Sequence, residues 1–406
     1  MSEIISQYSG RKRANYERAA ENIKNQGYLQ KWHELEVFVK AEPTEDGKPC
    51  RAICPRAAEY RLLLAQYLKP LEPVLCKALG VGCDSLCGGS TGVALAKGLN
   101  LAERGRVIAQ KWACFKDPVC VGTDASALDA HTVQEALKYE HSFYNSVLRS
   151  KHLAWLLRKQ LVNVGVAKCP DGKVRFRVKG RRASGDINTG LGNSILMLAV
   201  LVAYCYEFGL RVELFVDGDD AITIMERSTL QHFAKLGEFA EDLAFRMKIE
   251  EPVDELEKIS FCQCSPVLLA TGWTMVRNPE RVLERDACSL KPMETAGQFD
   301  AWRGAVAMGG LAAYANVPIL GAFYEYLGRG AELREPDVMR GFDYVRVGMD
   351  VRATPEITPK ARASFFMAFD ITPAHQLAIE AMYSSEPAPH FSKPNRVVKF
   401  TRQLQL

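Results

Sequence analysis

Three carboxylates surround one glycine in LFVDGDDAITI, residues 214–224, where Asp217, Asp219 and Asp220 interrupt two runs that otherwise alternate like core strands. Acids crowded into such a setting stay ionised only where something positive joins them. A second acidic stretch, DPVCVGTDASALDA at residues 117–130, puts Asp124 at the end of a short apolar run and Asp129 five residues later. Hard carboxylate oxygens from two separate strands, Asp124 and Asp219, suit a pair of Mg²⁺ ions, with Mn²⁺ as a substitute, that bridge the attacking and leaving oxygens of a phosphoryl displacement. Asp220 would help to hold or tune them.

Two further stretches suggest the substrate. In RRASGDINTGLGNSILM, residues 181–197, a Ser-Gly turn runs into a long apolar stretch with Thr189, Asn193 and Met197 at helical i, i+4, i+8 spacing. The Asn193 amide and the Asp129 carboxylate can share hydrogen bonds with a ribose 2′-hydroxyl, the group that separates RNA precursors from DNA precursors. Upstream, VFVKAEPTEDGKPCRAICPR carries Lys40, Lys48, Arg51 and Arg56, a cationic sleeve of the kind a triphosphate needs. Taken singly, these stretches also read as an Asp-Gly surface turn, a capped helix start and a solvated basic strand.

The elements that must position these residues can be read from periodicity. Val212, Leu214 and Val216, then Ile222 and Ile224, predict two strands joined through Asp-Gly, a hairpin with Asp219 and Asp220 at its tip. Val119 and Val121 predict the strand that ends at Asp124. Leu128, Val133, Ala136, Leu137, Phe143, Tyr144, Val147 and Leu148 predict a helix packing back on the sheet, and a helix runs from the Ser-Gly turn through Cys205. Residues 297–332 read as helices broken near Pro318, and residues 361–383 as one or two more.

A chain of 406 residues with 48% hydrophobic and 25% charged content buries a large core, and its length suggests two or three subdomains. The net charge of +4 makes any basic nucleic-acid surface local, for example at residues 11–13 or 175–182. Twelve cysteines without a paired CxxC framework read as reduced, mostly buried thiols, and Cys76, Cys83 and Cys87 lack the partners of a zinc site. The apolar run at residues 195–206 is about a dozen residues, short of the roughly twenty that span a bilayer, so no transmembrane segment is expected. Residues 386–406 read as an extended basic tail.

With these residues in order, the sequence resembles the RNA-dependent RNA polymerases of positive-strand RNA viruses, nearest the tombusvirus-like group. The resemblance covers most of residues 8–270. It is densest in KGLNLAERGRVIAQKW (97–112), the Asp124 stretch, SGDINTGLGNSILM, GDD, FRMKIE and FCQCSPV. It implies an α+β right hand with fingers, an antiparallel palm sheet with helices, and a mostly helical thumb. The implied division is fingers at 1–115, palm at 116–150, a fingers insertion at 151–180, palm at 181–275, and thumb with tail at 276–406.

By the same resemblance Asp124 and Asp129 carry over to the first palm motif, Ser184, Gly185, Thr189 and Asn193 to the second, and Gly218, Asp219 and Asp220 to the third. The first and third bind metal; the second positions template and nucleotide, with Gly185 and Gly218 on the template side. Lys248 in FRMKIE falls near the motif whose lysine serves some relatives as general acid for departing pyrophosphate. Lys40, Lys48, Arg51 and Arg56 match the triphosphate-gripping fingers motif. Arg277 and Arg285 in RNPERVLERDA look like the arginines that hold a priming nucleotide in primer-independent relatives.

The chain carries Ala127-Leu128 where the tombusvirus-like group commonly has Arg-Phe, and Val216-Asp217 where it has asparagines before GDD. The expected activity is template-directed synthesis of RNA on single-stranded RNA from nucleoside triphosphates. The membrane-anchoring amino-terminal region of many such replicases is not in this sequence, so attachment to replication complexes in the host cytoplasm is expected through a partner or another segment. Competing readings are a reverse transcriptase, which Asp129 with Asn193 argues against, and a catalytically silent RNA-binding replicase subunit.

Overall fold

The computed structural model describes residues 1–42, 50–169, 171–289, 292–332 and 356–391. It divides into two compact units, residues 1–98 with 111–252 and residues 99–110 with 253–406. Helices and mainly antiparallel sheets are both present, the α+β class expected.

The first unit opens with α1 (Ser2–Ser6) and α2 (Gly10–Gln26), then β1 (Leu35–Val39), β2 (Ala52–Ile53) and the long α3 (Ala58–Cys87). The helix α4 (Leu101–Trp112) follows, its first ten residues belonging to the second unit. Next come β3 (Pro118–Ala125), α5 (Leu128–His131), α6 (Gln134–Leu148), α7 (Lys151–Arg158), β4 (Val162–Cys169), β5 (Gly172–Lys179) and α8 (Thr189–Glu207). The hairpin β6 (Val212–Asp217) and β7 (Asp220–Glu226), α9 (Leu230–Phe233), α10 (Leu236–Asp242) and β8 (Met247–Ile249) complete it.

Two four-stranded sheets form in this unit, in the orders β6-β7-β3-β8 and β2-β1-β4-β5. In the first, all pairs are antiparallel, and Val119, Val121, Val212, Leu214, Val216, Ala221 and Met225 join a core with Leu191, Ile195 and Leu198 of α8 and Leu68, Leu71 and Leu75 of α3. The outer side of β6 is occupied by residues 94–96, whose backbone exchanges bonds with Val216 at 2.9 Å. A buried pair braces the far end of β6: Lys111 Nζ donates to Glu213 Oε2 at 2.7 Å and to Thr91 Oγ1 at 2.7 Å.

The helix expected after Asp124 is two helices, α5 and α6, because the chain turns at Thr132 and Val133. The helix through Cys205 is α8. Nineteen residues long with a mean hydropathy of 1.5, it is long and apolar enough to cross a membrane, beyond what the dozen-residue run suggested, and it alone among the described residues meets that measure. Two-thirds (67%) of its most apolar 18-residue window is buried inside the protein, which accounts for its apolar surface as core packing. Cys83, Cys87 and Cys205 are buried, and no disulfide links the cysteines of the described residues.

The second unit contains the hairpin β9 (Cys264–Leu269) and β10 (Gly272–Arg277), then α11 (Pro279–Arg285), α12 (Ala296–Tyr314), α13 (Leu320–Gly328), α14 (Pro359–Phe369) and α15 (Pro373–Ser385). Its core joins Val267 and Val276 to Phe323, Tyr324 and Phe365. The helices break around Pro318, as expected. Thr358 and Thr372 cap α14 and α15, each with proline in the first turn, where a missing N–H costs nothing. Most of the expected tail, residues 392–406, lies outside the described residues.

Candidate active site

The β6–β7 turn consists of Gly218 and Asp219 alone, since Asp217 pairs with Asp220. Gly218 has φ +70° and Asp219 does not share that sign, the arrangement of a two-residue turn with glycine first. Asp220, expected at the tip, is the first residue of β7. It lies directly opposite Asp124 of β3, and Asp124 in turn lies opposite Lys248 of β8. Residues opposite each other in antiparallel strands project to the same face. One row across the sheet therefore reads Asp217, Asp220, Asp124, Lys248.

Asp219 is held beside this row by its backbone, whose carbonyl accepts from Ala125 N–H at 3.1 Å. It stands exposed at the tip, yet its carboxyl is drawn above the ordinary aspartate value. Crowding by protein, which thins its hydration, is the largest cause, and the Asp124 and Asp129 carboxylates push the same way. Arg51 pulls in the opposite direction, so this basic residue lies within electrostatic reach of the acid.

No three acid, histidine or cysteine side chains among the described residues converge as a cation cage. The acids form an open row, which fits a divalent metal ion held through one or two carboxylates with the rest of its shell supplied by water and substrate phosphates. Like charges in register on neighbouring strands are otherwise unfavourable.

The turn is also held from α8. Ser194 Oγ accepts from Gly218 N–H at 2.8 Å and donates to the Gly190 carbonyl at 2.8 Å, and the residue is fully buried. Sequence reasoning passed over this serine, whose helical back-bond to the fourth residue before it is common and carries no signal of its own. One residue earlier, Asn193 Nδ2 donates to Asp129 Oδ1 at 2.8 Å, and Ser184 Oγ donates to Asp129 Oδ2. Thr189 turns instead to the Ala183 carbonyl, at 3.2 Å. The expected neighbours Asp129, Ser184 and Asn193 are thus brought together.

Behind them lies a buried polar network. Arg182 Nε donates to Asn193 Oδ1 at 2.9 Å, which fixes the amide with its N–H₂ toward Asp129, and Arg182 Nη2 donates to Glu140 Oε2 at 2.6 Å. Glu140 also accepts from Tyr144 and Asn188, each at 2.7 Å. Burial alone would raise the Glu140 pKa, but the Arg182 guanidinium, His141 and the Tyr144 hydroxyl together outweigh it and hold the carboxyl below its usual range. A Cβ on Gly192 would fall 2.2 Å from Glu140 Oε1, so only glycine lets α8 pass this pair. Glu140 was detectable in sequence: it sits on the apolar stripe of α6, between Leu137 and Tyr144, where a charge must be paired.

The basic residues expected to grip triphosphate separate. Lys40 and Arg51 are exposed, joined by a backbone bond of 2.8 Å, and share Glu42 at 2.7 and 3.6 Å. Lys48 lies outside the described residues. Arg56 differs from the expectation of a phosphate grip: it is 2% exposed, with Nε bonded to Asp186 at 2.8 Å and its other nitrogens to the His33 carbonyl and Asn163. Its donors hold the fold together, tying the start of β1, β4 and the loop before α8. Gly185 in that loop has φ +119°. Lys248 is exposed, 3.6 Å from Glu250. Arg277 and Arg285 belong to the second unit; Arg277 pairs with Asp286 at 3.0 Å, and Arg285 is exposed at the end of α11.

The hairpin thus sets Asp220 opposite Asp124 with Asp219 in the turn between its strands, and the helix behind them places Asn193 on Asp129 and Ser194 on the turn. The sequence profile of viral RNA dependent RNA polymerases matches residues 1–388, and the chain belongs to that family. It is 38% identical over 384 residues to the RNA-directed RNA polymerase of Pothos latent virus, covering 93% of this chain and 50% of that one. To the enzymes of the same name from Oat chlorotic stunt virus and Tomato bushy stunt virus it is 36% and 37% identical, covering 94% and 93% of this chain and 53% and 46% of theirs. The tombusvirus-like resemblance is borne out, and the chain spans about half the length of these relatives. Polymerases of this family work with divalent metal ions.

Proposed function

We propose that the chain is an RNA-directed RNA polymerase that copies single-stranded viral RNA from nucleoside triphosphates. The observation that carries the reading is the register of Asp124 against Asp220 with Asp219 in the intervening turn, in a chain of this family. Asp124 and Asp219 hold Mg²⁺, with Asp220 supporting, in a right hand whose palm is the β6-β7-β3-β8 sheet. When bound, the metal ions supply a lowered pKa for the attacking 3′-hydroxyl and neutralise charge on the phosphates.

The remaining steps belong to side chains. Asp129, oriented by Ser184 and Asn193, accepts from the ribose 2′-hydroxyl, while the second Asn193 N–H is available to the same group. Lys40 and Arg51, with Lys48, neutralise the triphosphate. Lys248, in the same row as Asp124, supplies a proton toward pyrophosphate. Arg277 and Arg285 serve a priming nucleotide in primer-independent initiation, a role that rests on the family resemblance alone. So do host-cytoplasmic, membrane-associated replication and a membrane-anchoring replicase partner.

The test is incorporation of labelled nucleotides on a short single-stranded RNA, without primer and then with one. Template-length product from ribonucleotides, and little from deoxyribonucleotides, is expected. Preferential use of deoxyribonucleotides would replace this reading with a reverse transcriptase. No product under any condition would favour a silent RNA-binding subunit. Asn193→Ala should narrow the ribo-over-deoxy preference, and an unchanged preference would remove the sugar-reading role.

A further inference from the structure

We propose that β5 carries a strand-guiding site for single-stranded RNA outside the catalytic acids. The proposal rests on the polymerase reading for its choice of ligand. In GKVRFRVK, Lys173, Arg175, Arg177 and Lys179 alternate with Val174, Phe176 and Val178, so the four cations share one face of the strand. All four are exposed, and among the described residues none has an acidic partner. β5 is an edge of its sheet. Same-face neighbours along it are about 7 Å apart, so the row runs about 20 Å, a spacing at which an extended strand can lay successive phosphates.

Register extends this face inward. Arg175 lies opposite Val166, which lies opposite Glu36, and Lys173 lies opposite Lys168. Two residues beyond Glu36 on the same face, Phe38 is 53% exposed, a ring on which a base can stack. A cleft beside α2 adds Arg18, Lys31 and Arg61, and the Arg61 Nε is buried without a hydrogen-bond partner. Acids are fewer: Glu36 is bonded by Lys168 at 2.5 Å, Glu59 by Asn22 at 2.7 Å, and Glu34 also lines the cleft.

The chain's path gives the row a direction. After Lys179 it turns at Gly180, Arg181 N–H bonds the Thr132 carbonyl at 2.7 Å and Arg182 N–H bonds the Asp129 carbonyl at 2.8 Å. Ser184, five residues past Lys179, then bonds the Asp129 side chain. The cation row therefore ends where the sugar-reading site begins. Guarding an edge strand against aggregation requires a lysine or two; four cations on one face, two of them arginines with flat guanidinium groups, suit phosphate better.

The test measures affinity of the full chain for a short, unstructured single-stranded RNA, without nucleotides, from about 50 to 200 mM salt. Replacing Lys173, Arg175, Arg177 and Lys179 together with glutamine should weaken binding about tenfold or more and make the log–log salt slope shallower by about 3. Removing four exposed cations elsewhere, Lys138, Arg149, Lys151 and Arg158, should leave both near wild type. Should the fourfold variant not fold, Lys173→Gln with Arg177→Gln should give about half the slope change, and Lys173→Arg with Lys179→Arg should bind as wild type.

Unchanged affinity in a folded row variant would overturn the proposal, as would an equal loss in the control set. So would loss of binding to phosphatidylserine vesicles alone, with RNA binding intact, or aggregation of the variant with unchanged RNA affinity. The readout needs no catalysis, so its failure is distinct from failure of the polymerase reading.

Discussion

Ser194→Ala removes the one side chain of α8 that holds the Gly218–Asp219 turn from behind. The hydroxyl is fully buried, accepts the Gly218 N–H at 2.8 Å and donates to a helix carbonyl at 2.8 Å. A net intramolecular hydrogen bond contributes about 1 kcal/mol, and an amide left without a partner costs about 1–3 kcal/mol. Gly218 is only half-buried, so water replaces part of the loss, which sets the expected effect at about 1–2 kcal/mol. If Asp219 must be held in place only when the metal ions and both substrates are aligned, that energy appears in the transition state as a rate loss of about 5–30-fold. Single-nucleotide addition on a preformed primer–template, measured at saturating nucleotide, reads this directly. A wild-type rate accompanied by a lowered melting temperature would refute the reasoning, because the serine would then stabilise the fold without positioning the turn.

Further outcomes follow from the site. Arg182→Met strands a fully buried Glu140 and should destabilise the protein by about 3–5 kcal/mol in denaturant titration, with part of the loss recovered by adding Glu140→Leu. Because Glu140 sits below its usual pKa, the stability it contributes is present above the ordinary glutamate value and disappears as pH falls through the depressed one. The double variant should therefore show a flatter acid limb, and an unchanged limb would contradict the pairing. Asp219 has the opposite sign: its raised pKa makes the folded state relatively more stable below the ordinary aspartate value, an advantage lost as pH rises through the raised value. At neutral pH and without divalent cation, Asp219→Asn should thus melt higher than wild type. Added Mn²⁺ should raise the melting temperature of wild type more than that of the variant, and equal shifts would argue against a cation at this carboxylate.

What the sequence disclosed depended on how local each signal was. The GDD hairpin, the strand before Asp124, the helix through Cys205 and the break at Pro318 are set by periodicity and turn residues within a dozen positions, and they were legible. Pairings between distant segments were not. Nothing in single-residue patterns places Lys248 opposite Asp124, residues 94–96 along β6, or β1 parallel to β4 some 130 residues away. Arg56 shows the consequence. Its position in a basic stretch suggested phosphate, while its partners Asp186, Asn163 and His33 come from three remote segments that only the fold assembles. Asp129 with Asn193 was recoverable because Asn193 is a polar side chain at helical spacing in an apolar stretch and Asp129 an acid just past the strand that ends near Asp124. Ser194 was hidden because its partner is a backbone amide, and every residue but proline has one.

The central claim is that Asp124 and Asp219 form a metal-dependent nucleotidyl-transfer site. Single-nucleotide addition to a primed RNA template should be measured with and without Mg²⁺ for wild type, Asp124→Asn and Asp219→Asn, with RNA affinity taken on the same preparations. The account predicts Mg²⁺-dependent addition by wild type, and RNA binding without addition by either variant. Ribonucleotide addition at a substantial rate by Asp219→Asn, with RNA affinity unchanged, would contradict it.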